Sequence, residues 1–343
     1  MGRRLGVGVI GVHVRGRHAW EQILKLHPSV EVRVVSLYPG ISSALTEGHT
    51  EADAREYAAF LGADYTSDYG QVLTRDDVHI VSLMTEPART ADLAEEVAAA
   101  GKHIVCDKPM TLTLAEAERV LYAVESAGVE LLVTLSFRYA DALRQARDTV
   151  AKGAIGRLLV ANMIYLQGNG PLPGFTATPE YRERVGGGDF TTFAPYCIDY
   201  LLWVMDRVPV SVHADMGTFF YPDYREAGIE DLGHMVLGFS DGGCGYICAG
   251  RTSAPGSPYL YVDLTGTRGS IHVTEAVHAV YVQAVDGGIR PVAEPQIHAM
   301  IFDFVDAILD GRPSPIGARA ARDMMAVLTA ARESACTGHS VPM

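Results

Sequence analysis

GKHIVCDKP, Gly101 to Pro109, is the stretch whose reading decides the fold. Its apolar centre, His103 to Cys106, has the length and composition of a buried strand, and the preceding ADLAEEVAAA repeats its apolar residues at helical spacing. A strand that follows a helix and ends in an acid, a lysine and a proline places Lys108 at the carboxyl end of a parallel sheet. Open α/β sheets take their ligands there. Pro109 fixes its own φ and biases Lys108 toward an extended backbone, so the lysine is presented in a defined direction. The chain has four lysines, Lys25, Lys102, Lys108 and Lys152, among 28 basic residues. A chemical role suits the one at a strand end; a plain surface lysine in a βα loop is the alternative.

Working outward from this stretch, the first half repeats the same unit. LGVGVI (5–10) reads as a first strand, followed by Gly11-Val12-His13-Val14-Arg15-Gly16 and a helical pattern from about Arg17 to Leu26. Strand, glycine turn and helix are the context of the dinucleotide fingerprint G-x-G-x-x-G. Gly11 and Gly16 supply the first and third glycines, and His13 replaces the second, whose smallness normally lets the backbone approach a pyrophosphate. Helix amides with Arg15 and Arg17 can still hold an anion. A second strand, VEVRVVSLYP, ends in Ser36, Leu37 and Tyr38, where an NAD-binding site has an acid for the adenosine ribose. Absence of the acid removes a repulsion against a 2′-phosphate, yet no arginine follows in the loop, so NAD and NADP both remain open.

Further along, the pattern predicts a helix over 44–60 and strand His79–Met84 ending in Thr85-Glu86-Pro87. A helix then closes at Gly101, and after the Lys108 strand comes another over 114–127 with Thr113 and Glu116 as its capping box. A last strand is expected over 130–137. Five or six such units define a Rossmann-type doubly wound parallel sheet. After a helix from Arg138-Tyr139 to Lys152 the pattern changes to strand-like runs, with SDGG (240–243) and GTRGS (266–270) as hairpin turns. One helix, Asp189 to Met205, enters through Gly186-Gly187-Gly188, and two more, over 296–309 and 318–337, close the sequence. The expected division is a dinucleotide-binding domain over 1–138 and an α+β domain over 139–343. The second carries a large, mostly antiparallel open sheet, and the C-terminal helices return to the first.

Composition bounds the function. The 343 residues carry a formal net charge of −13, which argues against a general binder of nucleic acid or membrane surfaces. No apolar run reaches the roughly 18 residues of a membrane span, and the short run after Arg3 and Arg4 reads as a strand rather than a signal peptide. Cys106, Cys197, Cys244, Cys248 and Cys336 are scattered and odd in number. Reduced thiols in a cytoplasmic protein and no metal site are expected.

These pieces resemble the glucose–fructose oxidoreductase / inositol dehydrogenase (Gfo/Idh/MocA) family over nearly the whole chain. GKHIVCDKPMTLTLAEAERV is similar to its G-K-H-V-x-C-E-K-P motif, with Asp107 in place of the usual glutamate. SFRYADALRQARDTVAKGAIGRLL resembles the crossover into its second domain, GGGDFTTFAPYCIDYLLWVM its G-G-G…D-x-x-x-H…D helix, and the run from Phe302 to Val341 its C-terminal helices.

The resemblance implies an NAD(P)-dependent oxidoreductase exchanging hydride with a secondary alcohol or ketone of a sugar- or cyclitol-like substrate. It also implies a homodimer or homotetramer built through the second-domain sheet. The cofactor set it implies is Gly11, Val12, His13, Arg15, Gly16, Ser36, Leu37, Tyr38, Thr85, Glu86, Asp107, Lys108 and Arg138. Typical members pair the K-P lysine with an aspartate and, four residues later, a histidine; these fall on Lys108, Thr192 and Tyr196. Beside an ammonium the Tyr196 phenol is lowered from its reference pKa of about 10 and can still move a proton, whereas Thr192 can only orient a hydroxyl or water. Asp199, on the same helix face as Tyr196, is expected to hold a substrate hydroxyl, and Tyr165 and Arg182 are further substrate candidates. The departures at His13, Leu37 and Thr192 keep open a catalytically altered ligand-binding or regulatory relative. An NAD-dependent elimination of the glycosidase or lyase type is a further alternative that no separate feature favours.

Overall fold

The structure is a computed structural model, and it describes residues 4–11, 20–38, 50–168, 179–252, 259–274 and 295–343, without the side chains of 179–181 and 295–297. Val12, His13, Arg15, Gly16 and Arg17 of the fingerprint, and the strand-like run 279–285, lie outside the described residues. The chain divides into two compact units, Met1–Thr134 with His298–Arg322, and Leu135–Ile297 with Asp323–Met343.

The first unit alternates strands and helices: β1 (Leu5–Ile10), α1 (Trp20–Leu26), β2 (Val30–Ser36), α2 (Glu51–Leu61), β3 (Asp64–Thr66), α3 (Gly70–Thr74), β4 (Ile80–Leu83), α4 (Pro87–Ala99), β5 (His103–Cys106), α5 (Leu114–Ala127) and β6 (Leu131–Val133). The six strands are all parallel, in the order β3-β2-β1-β4-β5-β6. Every residue of β1, β4 and β6 is buried, as a parallel sheet covered on both faces requires. The order reverses between β1 and β4, the switch point at which such sheets bind ligands.

Local chemistry sets the element ends. The Thr113 hydroxyl accepts from the Glu116 N–H at 3.2 Å and the Glu116 carboxylate accepts from the Thr113 N–H at 2.9 Å, so α5 begins where its capping box dictates. Helix α2 differs from the periodicity reading. Thr50 is extended, with ψ 163°, and caps Asp53, so the described helix starts at Glu51 and not at Ala44. The strand expected over 130–137 is also shorter. Among the described residues β6 pairs with β5 alone, whose last residue Cys106 faces Val133, and the chain beyond turns into a 3₁₀ helix, Ser136–Tyr139. Within the first layer, Glu21 of α1 is fully buried; its carboxylate accepts from the Ser82 hydroxyl of β4 and, at 3.0 Å, from the Tyr57 hydroxyl of α2. Desolvation pushes this carboxyl above its usual range, against the two hydrogen bonds.

The second unit contains α6 (Asp141–Ala151), β7 (Leu158–Gln167), α7 (Pro179–Val185), α8 (Asp189–Met205), β8 (Ser211–Gly217), α9 (Pro222–Ala227), β9 (Leu232–Gly238), β10 (Cys244–Arg251), β11 (Tyr259–Gly266) and β12 (Ser270–Thr274). Helices α10 (Pro295–Asp310) and α11 (Ala318–Thr337) and strand β13 (Val341–Pro342) end the chain. The seven-stranded sheet runs β12-β11-β7-β10-β9-β8-β13. All its neighbours are antiparallel except β7 and β10, which pair in parallel from Val160↔Cys244 to Gln167↔Arg251. The two glycine-rich turns join β9 to β10 and β11 to β12 as hairpins. Along β9, buried Gly233, Met235 and Leu237 alternate with exposed His234 and Val236, so one face of the sheet is covered and one is open.

The C-terminal segments are shared out. In the first unit the Val133 N–H donates to the Ile316 carbonyl and the Ser314 N–H to the Glu130 carboxylate; in the second, the Ala214 N–H donates to the Ser334 hydroxyl. Among the described residues no helix is long and apolar enough to cross a membrane.

Candidate active site

Half of the candidate residues sit at the carboxyl edge of the parallel sheet. Gly11 follows β1 with φ +91°, and its N–H donates to the Ser36 carbonyl at 2.8 Å. A Cβ there would stand 2.5 Å from the Met84 carbonyl oxygen, so only glycine lets the β1 turn pass between the ends of β2 and β4. Ser36 is buried and its hydroxyl donates to the Leu37 carbonyl at 3.2 Å, while Leu37 and Tyr38 are half-buried. Past β4, the Thr85 hydroxyl oxygen is shielded from solvent and has no hydrogen-bond partner among the described residues, and Glu86 is the N-cap residue of α4 with Pro87 in its first turn.

At the end of β5 the half-buried Lys108 is joined to Pro109 by a cis peptide bond. The Asp107 carboxylate accepts from the Lys108 N–H at 2.7 Å and from the Thr134 hydroxyl at 2.8 Å. The acid in the D-K-P motif therefore fixes the backbone that presents the lysine, and Thr134, buried just past β6, fixes the acid.

The other half lies on α8. Gly188 is needed because a Cβ would come within 1.9 Å of the Glu230 carbonyl oxygen; that carbonyl accepts from the Asp189 N–H at 2.8 Å. The Glu230 carboxylate accepts from the N–H groups of Gly188 and Thr191, both at 2.9 Å, satisfying and neutralising the positive end of the helix. One turn on, the Thr192 hydroxyl donates back to the Gly188 carbonyl at 2.8 Å. Tyr196 is 9% exposed, its ring 5.0 Å from Phe137 in stacked geometry and 6.2 Å from Tyr165 edge-on. Phe193 packs edge-on to Tyr165 at 5.6 Å, and the Arg251 guanidinium lies 5.2 Å above the Phe193 ring while donating to Asp189 at 3.1 Å. The Tyr165 hydroxyl accepts from the Gln167 amide.

Arg138 and Asp199 are bound to each other, and Arg182 lies on α7. Arg138 grips Asp199 with two hydrogen bonds, one of 2.8 Å from Nε, and Asp199 is 1% exposed. Burial pushes the Asp199 carboxyl up and Arg138 pulls it back. Both Asp199 oxygens are thus engaged in a site shut off from solvent, and Arg138 commits two of its N–H donors to them. Arg182 is exposed on α7, its guanidinium beside Gly228 at the end of α9. Thr134, Phe137, Phe193 and Arg251 escaped the sequence reading. Thr134 is one of two polar residues, with Ser136, in the apolar run LLVTLSF, and this is the one visible signal.

Comparison with known proteins bears on these halves together. The description "Oxidoreductase family, NAD-binding Rossmann fold" matches residues 5–135, and "GFO/IDH/MocA C-terminal domain" matches residues 143–272. The chain belongs to the GFO/IDH/MocA family. Levoglucosan dehydrogenase of Pseudarthrobacter phenanthrenivorans is 26% identical over 294 residues, covering 78% of this chain and 73% of the relative. Myo-inositol 2-dehydrogenase of Thermotoga maritima is 24% identical over 237 residues, 69% of each. In fold the chain is similar to the crystal structure of scyllo-inositol dehydrogenase from Lactobacillus casei with bound NAD(H) and scyllo-inositol, at a TM-score of 0.81, 19% identity and 99% coverage of both chains.

This GFO/IDH/MocA member is thus an NAD-binding oxidoreductase. Its first unit fits the dinucleotide: Gly11 takes the tight turn after β1 at φ +91°, and the shielded Thr85 hydroxyl at the switch point has no partner among the described residues.

Proposed function

We propose that this protein interconverts a secondary alcohol and a ketone on a sugar- or cyclitol-like substrate, with Tyr196 and Lys108 moving the hydroxyl proton. The observation that carries this reading is Tyr196 itself. It keeps an ionisable hydroxyl on α8 at the position where the family pattern has a histidine, in a ring clamped by Phe137 and Tyr165. The relatives named for levoglucosan and myo-inositol support the substrate class.

In this reading NAD(P), when bound, supplies or accepts the hydride. Gly11, Ser36, Leu37, Tyr38, Thr85 and Glu86 hold it, with the fingerprint residues Val12, His13, Arg15 and Gly16. Asp107 and Thr134 set the direction of Lys108, whose ammonium favours the phenolate of Tyr196 and orients the substrate oxygen. Tyr196 then takes the hydroxyl proton in oxidation and returns it in reduction. Thr192, its hydroxyl hydrogen given to Gly188, offers only acceptor capacity and serves to orient. Asp199 acts through Arg138, holding the crossover turn against α8, and Arg182, exposed on α7, is kept as a candidate for binding the substrate. The open face of the second sheet, with Val236 and Tyr259 exposed, forms the contact of a homodimer or homotetramer.

The test is a screen of cyclitols, aldoses and anhydrosugars with NAD and NADP, followed by nicotinamide absorbance. Turnover of at least one polyol that Tyr196→Phe abolishes is expected. Cofactor binding with no turnover across the panel rejects the reading.

A further inference from the structure

Helix α8 carries a buried charge that the reaction above does not use. Asp189 opens the helix, and Asp189, Phe193 and Tyr196 stand at i, i+4 and i+7, along one face. Arg251, the last residue of β10, meets that face. Its Nε donates to the Asp189 carboxylate at 3.1 Å, and the two side chains are only 8% and 9% exposed. Burial raises the Asp189 carboxyl, and Arg251, followed by the Tyr224 hydroxyl of α9, pulls it back. A buried pair of this kind is weak evidence for stability; what the guanidinium rests on gives it another role.

It rests on an aromatic chain. The guanidinium carbon lies 5.2 Å from the centre of the Phe193 ring. Phe193 meets Tyr165 edge-on at 5.6 Å and 87°, and Tyr165 meets Tyr196 edge-on at 6.2 Å and 89°. A second route runs through the backbone. Arg251 faces Gln167 in the parallel register of β10 and β7, and the Thr252 N–H donates to the Gln167 carbonyl at 2.8 Å. The Gln167 amide in turn donates to the Tyr165 hydroxyl. Tyr165 is therefore supported at its ring by Phe193 and at its oxygen by Gln167, and both supports lead back to the end of β10. In a close-packed interior, turning one of these perpendicular rings drives its edge into the next.

We propose that Arg251, held by Asp189, is a positioning residue of the reaction: through Phe193 and Tyr165 it fixes the ring of Tyr196 and so the hydroxyl that moves the proton. The inference rests on the proton-transfer reading of Tyr196 given above. Its effect falls on rate, because a reacting group displaced by about 1 Å loses roughly 10²-fold.

Fluorine NMR of the full-length protein labelled with fluorotyrosine reads this chain without any turnover, the Tyr165 and Tyr196 signals being assigned by their single Phe variants. The double variant Arg251→Met, Asp189→Asn strands no charge, and circular dichroism checks its fold; should it not fold, Asp189→Asn alone carries the same expectations. Both tyrosine signals are expected to move. On a polyol that the wild type turns over, kcat is expected to fall by roughly tenfold or more with KM within about threefold of wild type. Arg251→Lys, which keeps a cation beside Asp189, is expected to recover most of both. A folded variant whose Tyr165 and Tyr196 signals stay in place overturns the inference, and so does one whose signals move while kcat holds. Undiminished turnover in Tyr196→Phe, with the signals moved in the double variant, overturns the proton-transfer reading instead and leaves Arg251 as the anchor of the Tyr196 ring.

Discussion

The hydroxyl of Thr134 donates, at 2.8 Å, to the same Asp107 oxygen that accepts from the Lys108 N–H at 2.7 Å. Two neighbouring parallel strands thus hand over one carboxylate between them, and the direction of the lysine depends on a residue 26 positions further along the chain. Thr134→Val keeps the shape and removes the donor. A charge-assisted bond lost from a shielded site costs about 1.5–3 kcal/mol, so urea unfolding should show a loss of that size and kcat should fall more than KM rises. A variant within about 0.3 kcal/mol of wild type would mean that Asp107 is held by other contacts.

Lys108→Met preserves the aliphatic stem and deletes the ammonium. Turnover should drop by roughly 10²-fold or more, with an unchanged circular dichroism spectrum. Near-wild-type rates reject the catalytic role.

Tyr196→Phe leaves the stacking with Phe137 and Tyr165 in place. The expected result is a loss of roughly 10²–10⁴ in kcat, an unchanged Kd for NAD and an unfolding midpoint close to wild type. A large drop in midpoint would instead assign the hydroxyl a packing role.

Arg138→Met strands the buried Asp199 charge. Removing one partner of such a pair costs about 3–5 kcal/mol. The double variant Arg138→Met, Asp199→Leu should recover most of it, because no uncompensated charge remains. A double variant no more stable than the single one would show that the pair is not the source of the loss.

Glu21 gives a pH signature. Its folded pKa is raised by burial, so between the unfolded value of about 4.3 and the folded one the native state holds the extra proton. Stability from this group is therefore full below the unfolded pKa and is lost as pH rises through the folded one. Glu21→Gln removes that slope. Thermal midpoints of variant and wild type should lie close together at pH 4, with the variant gaining on wild type toward pH 8. Parallel curves would refute the shift.

Elements whose ends carry their own chemistry were legible in the sequence. Helix α5 announces itself through Thr113 and Glu116, and β5 through its apolar run and the D-K-P end; each falls where expected. Where tertiary partners decide, the sequence was silent. Nothing in ELLVTLSF says that β5 runs out at Cys106 and that Phe137 must turn toward α8. Helical periodicity gives Asp199 the same face as Tyr196, yet it cannot say that Arg138 occupies that carboxylate. The family pattern pointed to Tyr196, whereas the aromatic clamp around it is assembled from residues 31 and 59 positions away in the chain.

The interleaving of the two units sets the order in which they can fold during synthesis. The first sheet is formed by residue 133, but its edge strand gives its Val133 N–H to Ile316, so it waits unfinished for about 180 residues. The second sheet waits too, since β7 needs β10 more than 80 residues later and β8 gains its last neighbour at Val341. Such long-range pairings fold slowly and leave edges open to wrong partners. A nascent chain halted near residue 290 carries all six strands of the first sheet without the Ile316 contact of its edge, and a second sheet that still lacks β13.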